Sequence, residues 1–441
     1  MLKRVNKGLW AVVKQLGNLR LAIILLLGLS VFSALGTVIE QNKDISFYEI
    51  NYPMTKPVFG FVNSSLIFSL GLDHVYQAWW FICSILLFGC SLISCTFSRQ
   101  LPSLKLAQIW QFYKTKINLQ KFELNFRVND TSLSTFSNEL SKSSYHVIQK
   151  GPFLYAYKGL IGKIGPIVVH MSIIITLFGS ILGSFSGFMA QELVPLGGLF
   201  HLQNIITSGP FSYIEQNIEG YIRDFRITYS DEGSIDQFYS DLLLLNNKGE
   251  ELINKTIYVN EPLRYKGLTF YQTDWSIVGL NLQIDNSAVV ELPLKLITTN
   301  TNTRFWISTL KIPSLIESED SKDLLILLED LTGKFQLYDS KQTILSEQEI
   351  GSSFFIKGHK AQLLEIITST GLQVKADPGI PFVYIGFLFL IFSVLLSYTS
   401  YSQIWAIKKE NHLYLSGRTN RATYFFEQDF IAMLRSMRSS I

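Results

Sequence analysis

Cysteine is the scarcest residue in this chain, with three in 441 positions. All three, Cys83, Cys90 and Cys95, fall in one apolar stretch at x6 and x4 spacing, unlike CxxC, and read as small apolar packing residues. Residues 186–380 hold none, so that segment can neither staple itself with disulfides nor exchange thiols, and any thiol chemistry belongs to another protein. No Walker phosphate loop, HExxH zinc helix or GxSxG elbow occurs, the inner segments carry no kinase-like output motif, and no internal repeat is apparent. Charge is sparse at 17%, against 48% hydrophobic and 13% aromatic residues. That balance describes a membrane protein with room for one ordinary water-soluble domain.

Four stretches are long and apolar enough to cross a hydrocarbon core of about 30 Å: Leu19 to Ile39, Trp79 to Phe97, Pro166 to Phe185 and Pro381 to Ser400. Lys3, Arg4, Lys7 and Lys14 precede the first, but its apolar run is too long for a signal peptide and no small-residue cleavage site follows, so it is expected to stay as an anchor. Charges separate by sign between the spans. Residues 1–20, 98–164 and 401–441 sum to +15, while 40–78 and 186–380 sum to −12. By the excess of Lys and Arg on the inner side, both termini and the middle loop are expected to face the cytoplasm or stroma, and 186–380 is expected across the membrane.

Between spans the expectations differ by segment. The connector 40–78 breaks at Tyr52-Pro53, Pro57 and Gly60, and Trp79 and Trp80 sit where an interfacial belt is expected. The basic loop 98–164 combines a helical start, Leu101 to Tyr113, with alternation from Phe122 to Val128, and reads as a small α+β subdomain. Topology and anionic lipid explain its charge, so no nucleic-acid binding is inferred. From 186 to 380 short alternating runs such as Tyr221 to Tyr229, Asp241 to Leu245, Thr256 to Val259, Leu268 to Tyr271 and Leu280 to Ile284 are broken by turn signals at Asp231-Glu232-Gly233, Asn246 to Gly249 and Tyr265-Lys266-Gly267. The fold class is therefore four transmembrane α-helices plus a large β-rich translocated domain, sandwich or barrel-like. The tail ends in a basic amphipathic helix from Phe425, suited to the inner membrane surface or a partner.

His170 is the anomaly, an imidazole about four residues inside the third span. Either a neighbouring helix satisfies it by hydrogen bonding, or it ligates a metal or haem iron; spacing alone leaves both open. Gly179 and Gly183 on the same span allow close approach of another helix. His74, just before Trp79, is either a solvated interfacial histidine or a further ligand, whereas His146, His201 and His359 stand without neighbouring ligand types.

Seven stretches carry a resemblance that covers nearly the whole chain. They are LRLAIILLLGLSVFSALGTVIEQ at Leu19 to Gln41, LGLDHVYQAWWF at Leu70 to Phe81, SLISCTFSRQLPSLK at Ser91 to Lys105, IRDFRITYSDEGSIDQFYSDL at Ile222 to Leu242, TIYVNEPLRYKGLTFYQTDWSI at Thr256 to Ile277, DPGIPFVYIGF at Asp377 to Phe387 and SGRTNRATYFFEQ at Ser416 to Gln428. In these the chain resembles the ResB/CcsB family of cytochrome c biogenesis proteins, in its cyanobacterial and plastid form. The resemblance implies an accessory subunit, not an enzyme alone, of the system II haem lyase. With CcsA it would carry haem b across the thylakoid membrane and join it to the CxxCH thiols of apocytochrome c. It implies His170 as a haem axial ligand, with the other ligand from CcsA, to which the tryptophan-rich external site also belongs. The receiving thiols need separate reductants, membrane and thioredoxin-like. Within the β domain, Asn260, Pro262, Tyr265, Gly267, Phe270, Tyr271, Gln272 and Trp275 could line a docking surface for a partner, with core packing as the competing reading. Lysines outnumbering arginines (26 against 12), and no transit peptide ahead of the first span, fit a plastid or cyanobacterial genome. A lone haem exporter, or a membrane-anchored scaffold with a protein-binding β domain and no haem site, are the rival readings.

Overall fold

The computed structural model describes residues 2–129, 131–215, 218–230, 234–285, 287–298, 304–310, 324–339, 343–356 and 359–439. The expected turn Asp231-Glu232-Gly233 lies outside them. The chain divides into two compact units, Met1–Leu182 with Gly379–Ile441, and Gly183–Pro378.

In the first unit an entry helix, Leu2–Leu16, leads to the first span, Leu19–Val38, whose N-terminus is capped by the Asn18 side chain accepting from the Arg20 amide. The joint between them is pinned to the second span: Ser91 donates to Leu16 O at 2.8 Å, and a β-carbon on Gly17 would lie 2.6 Å from Ser98 Oγ. The second span is longer than the sequence pattern indicates. Its α-helix, Trp79–Cys95, does not stop at Phe97 but passes through a π-helical turn, Thr96–Gln100, into the helix Leu101–Gln108, giving one 30-residue rod. The third and fourth spans are Gly165–Ser186 and Ile380–Ser397. Small residues let these two touch backbone to backbone. A β-carbon on Gly179 would sit 2.8 Å from Gly379 O, one on Gly165 2.4 Å from Ser397 Oγ, and one on Gly386 2.1 Å from Thr176 Oγ1. The helix that Gly179 admits is thus the chain's own fourth span.

The connector is folded rather than loose. Two short helices, Ile45–Asn51 and Ser64–Leu70, and a 3-10 turn, Leu72–Gln77, enclose Tyr48, Ile67 and Val75, all fully buried.

The basic loop and the tail build a single five-stranded antiparallel sheet in the order Leu124–Asn129, His412–Thr419, Ser402–Lys409, Phe153–Lys158, His146–Lys150. One face carries the helices Leu133–Lys142 and Thr423–Ser439 over a core of Phe136, Leu140, Leu413, Phe430 and Met437. The other is covered by Phe112, Tyr113 and Phe122, whose ring stacks on Trp405 at 4.6 Å. The tail therefore differs from its sequence reading. Its apolar stripe of Phe426, Phe430, Met433 and Met437 is buried in this core and not held out for lipid or a partner. The apolar surface was legible, but the sheet that covers it comes largely from elsewhere in the chain.

The second unit is all antiparallel sheet among the described residues: seven, five and four strands. The long strands Leu268–Ile284 and His359–Ala376 pair along their length and run through the seven-stranded sheet; one core lies between it and the five-stranded sheet, and a second between it and the four-stranded sheet. The expected runs at Tyr221, Asp241, Thr256, Leu268 and Leu280 all lie on or in strands, the last two on one strand. Lys266 and Gly267, both at positive φ, make the two-residue hairpin turn from Leu263–Tyr265 into Leu268–Ile284.

Candidate functional site

His170 lies one and a half turns into the third span, half-buried, against the π-helical turn of the second. An i→i+5 bond, Leu101 N–H to Thr96 O, widens that turn, and Thr96 and Gln100 both reach the imidazole. Gln100 Nε2 lies 3.0 Å from His170 Nε2, while Thr96 Oγ1 and Leu92 O lie 3.1 and 3.3 Å from Nδ1. The Thr96 hydroxyl proton is committed to Leu92 O at 2.9 Å, so Thr96 Oγ accepts. The network therefore assigns the proton to Nδ1, donated to Thr96 and Leu92, and the lone pair to Nε2, which accepts from the Gln100 amide. That tautomer suits a metal-binding imidazole, with one nitrogen held by a hydrogen bond and the other basic and able to donate to iron once the Gln100 amide moves aside. Gln100 Oε1 is buried without a hydrogen-bond partner among the described residues. An orphaned polar atom of this kind costs free energy and is uncommon in a native structure. The donor set fits a haem iron ligand.

Neither Thr96 nor Gln100 was singled out in the sequence. The signal that contains them is SLISCTFSRQLPSLK, one of the stretches that carry the family resemblance.

His74 is 44% exposed in its side chain and sits 2.9 Å from Asp73 Oδ1 in a non-helical kink of the turn before the second span. Its loop is fixed by Gln41, whose amide donates to Ile39 O and Leu72 O and accepts from the Val75 amide. Among the described residues no group of three or more metal-ligating side chains occurs, and the three cysteines are free. His146 stacks on Tyr157, His359 pairs with Asp285 at 2.7 Å, and His201 is exposed.

The stretch from Asn260 to Trp275 divides by burial. Trp275 stacks on Trp306 at 5.1 Å in the core, Phe270 is buried beside Leu372 and Val374, and Gln272 is 5% exposed. Gln272 Oε1 accepts from Ser240 at 2.5 Å and from Thr370 at 2.8 Å, while its Nε2 donates to Asp274 O, so its side chain ties the seven-stranded sheet to the four-stranded one. Asp274 stands at a β-bulge, accepts from the Trp275 amide at 2.8 Å and pairs with Arg304 at 2.8 Å. Structural demands thus account for the string QTDW. Asn260 and Gly267 are exposed turn residues at positive φ, and Pro262, Tyr265 and Tyr271 are half-buried; these five remain accessible to another molecule.

Comparison with known proteins agrees in extent with this architecture. The chain is 56% identical over 440 residues, the full length of both, to cytochrome c biogenesis protein Ccs1 of Rhodomonas salina. It is 46% identical over 434 residues, 98% of this chain and 95% of the relative, to cytochrome c biogenesis protein CcsB of Crocosphaera subtropica, and 44% identical over 432 residues, 98% and 97%, to Ccs1 of Pyropia yezoensis. The model of the ResB-like family matches residues 19–308 and 320–431, spanning all four membrane helices, the sheet-rich unit and most of the tail, and the chain belongs to that family.

Proposed function

We propose that this protein serves in cytochrome c biogenesis as the accessory subunit of a system II haem attachment complex in the thylakoid membrane. CcsA is its partner, haem b its cargo and the CxxCH thiols of apocytochrome c the destination. The names of its full-length relatives support the pathway, and their cyanobacterial and algal sources fit the location. One observation carries the chemistry: inside a membrane span Thr96 Oγ1 and Leu92 O meet His170 Nδ1 and the Gln100 amide meets Nε2, an arrangement that supports a proton on Nδ1 and a lone pair on Nε2. Haem supplies an iron that takes axial nitrogen ligands. The work of this chain's own residues is to hold and orient the imidazole and to shield it from lipid.

Sidedness follows from charge together with the mixed sheet. The basic loop and the tail share one sheet, so both lie on one side, with the third and fourth spans crossing out and back between them. Their surplus of basic residues supports that side facing the stroma or cytoplasm, and with it both termini and the end of the third span that bears His170. The sheet-rich unit then stands in the lumen, where Asn260, Pro262, Tyr265, Gly267 and Tyr271 offer the accessible part of the family stretch to apocytochrome or CcsA. Because that unit has no cysteine, separate thiol reductants serve the acceptor.

The test is the visible absorption spectrum of the protein purified with co-expressed CcsA, compared with His170→Ala. A Soret band that falls on substitution is the expected result. Unchanged haem content would make His170 a packing residue and the protein a scaffold whose lumenal sheets hold partners together.

A further inference from the structure

We infer that Gln100 is a displaceable cap on the His170 lone pair and that Thr96 is the residue that fixes which nitrogen carries it. This deepens the proposed haem reading and rests on it. In the structure the atom that would bind iron is already engaged by the Gln100 amide at 3.0 Å. Haem pick-up at this histidine is therefore an exchange: the Gln100 N–H···Nε2 hydrogen bond breaks, the Nε2 lone pair forms the bond to iron, and no proton moves. The released amide has to reorient, and it starts from a position in which its own Oε1 is buried and unpartnered, so the capped state is not its best hydrogen-bonding state. Gln100 and Thr96, four residues apart, lie on one face of the second span's helix, and the π-helical turn between them sets the positions from which they meet the imidazole.

Thr96 acts from the other side. With its hydroxyl proton on Leu92 O it accepts from Nδ1, as Leu92 O itself does at 3.3 Å, and the pair favours the tautomer with the proton on Nδ1. Without a fixed tautomer the imidazole would spend part of its time with a proton where iron must bind. A hydrogen bond accepted from Nδ1–H also raises the electron donation of Nε2. Thr96 is in this sense a positioning residue. It has no direct part in ligation.

The experiment uses the full-length protein co-expressed with CcsA in five forms: unsubstituted, His170→Ala, Gln100→Ala, Thr96→Val and Thr96→Ser. Uncapping by Gln100→Ala raises haem affinity about fivefold, the equivalent of one ordinary hydrogen bond. Thr96→Val lowers haem retention and raises the midpoint potential of the bound haem, and Thr96→Ser restores both, which a general packing defect would not produce. Independently of haem, nitrogen NMR of histidine-labelled protein, with the His170 signal assigned by its loss in His170→Ala, shows the proton on Nδ1 in the unsubstituted form and a mixture in Thr96→Val. Haem that disappears in His170→Ala but is unmoved by Gln100→Ala, or a His170 proton found on Nε2, overturns this inference and leaves the haem reading standing. Haem content indifferent to His170→Ala overturns the haem reading itself, whatever the tautomer.

Discussion

Replacing Phe430 by alanine separates two accounts of the C-terminal helix. Phe430 is fully buried on the inner face of Thr423–Ser439, its ring 5.4 Å from Phe126 and 5.9 Å from Phe426. Burying a phenylalanine removes about 150–250 Å² from water, worth about 4–6 kcal/mol at 25 cal/mol/Å² as an upper bound, and alanine returns part of it. Measured Phe→Ala losses in cores, about 3–5 kcal/mol, overlap that range and lie a little below it, as expected when alanine returns only part of the area. At about 1.4 kcal/mol per factor of ten, amide exchange in the strands Leu124–Asn129 and His412–Thr419 should accelerate by roughly two to three and a half powers of ten wherever it proceeds through opening of this subdomain. Phe425, on the outer face of the same helix, is 66% exposed, and Phe425→Ala should change exchange by less than about a factor of three. The assay is hydrogen exchange by mass spectrometry on the protein in detergent or nanodiscs. A helix that merely lay on the membrane would respond oppositely: both substitutions would weaken lipid contact alike, and the strands, 285 residues apart at Arg127 and His412, would keep their protection. That outcome would refute the packing described for the tail.

Two further expectations concern other joints of the fold. Gln272→Leu removes the shared acceptor of the buried Ser240 and Thr370 hydroxyls, which can then bond only to each other at 2.8 Å, and should cost about 1–3 kcal/mol, read as a lower unfolding midpoint of the sheet-rich unit, with the membrane spans and any haem spectrum unaffected. Gly386→Ala puts a methyl group 2.1 Å from Thr176 Oγ1 and 2.9 Å from the Thr176 amide, so the third and fourth spans must part; an overpacking loss of about 1–3 kcal/mol should lower the aggregation temperature in detergent, whereas Gly28→Ala, with open space at the same atom, should not.

How far the sequence reaches differs from element to element for physical reasons. The spans are legible because lipid demands unbroken apolar runs, and Tyr221 to Tyr229 because a half-buried strand alternates. Ser402–Lys409 escapes notice since both faces of its sheet are covered; four successive residues, Ile404 to Ile407, are buried and the alternation vanishes. The true end of the second span is hidden in the same way, because a π-helical turn has no composition of its own and Thr-Phe-Ser-Arg-Gln reads as an exit from the membrane. For His170 the type and depth of the residue mark it as unusual, but its partners lie on a different span, 74 and 70 residues away, where only packing brings them. In the Asn260 to Trp275 stretch the specificity of the string was plain and its cause was not: a buried glutamine and a bulge aspartate are as exacting as a binding site.

The mixed sheet also sets a timetable for biosynthesis. Tyr155 and Tyr401, joined hydroxyl to hydroxyl across it, are separated by 246 residues, with two membrane crossings and the whole sheet-rich unit between them. At about 5–20 residues per second, the strand Phe153–Lys158 waits about 12–50 s for the hairpin that pairs with it. Until the last residues leave the ribosome, the basic loop has an open edge and half a core. Closure of that sheet is thus a late event that certifies both returns across the bilayer, and a chain that inserts one span the wrong way round cannot complete it.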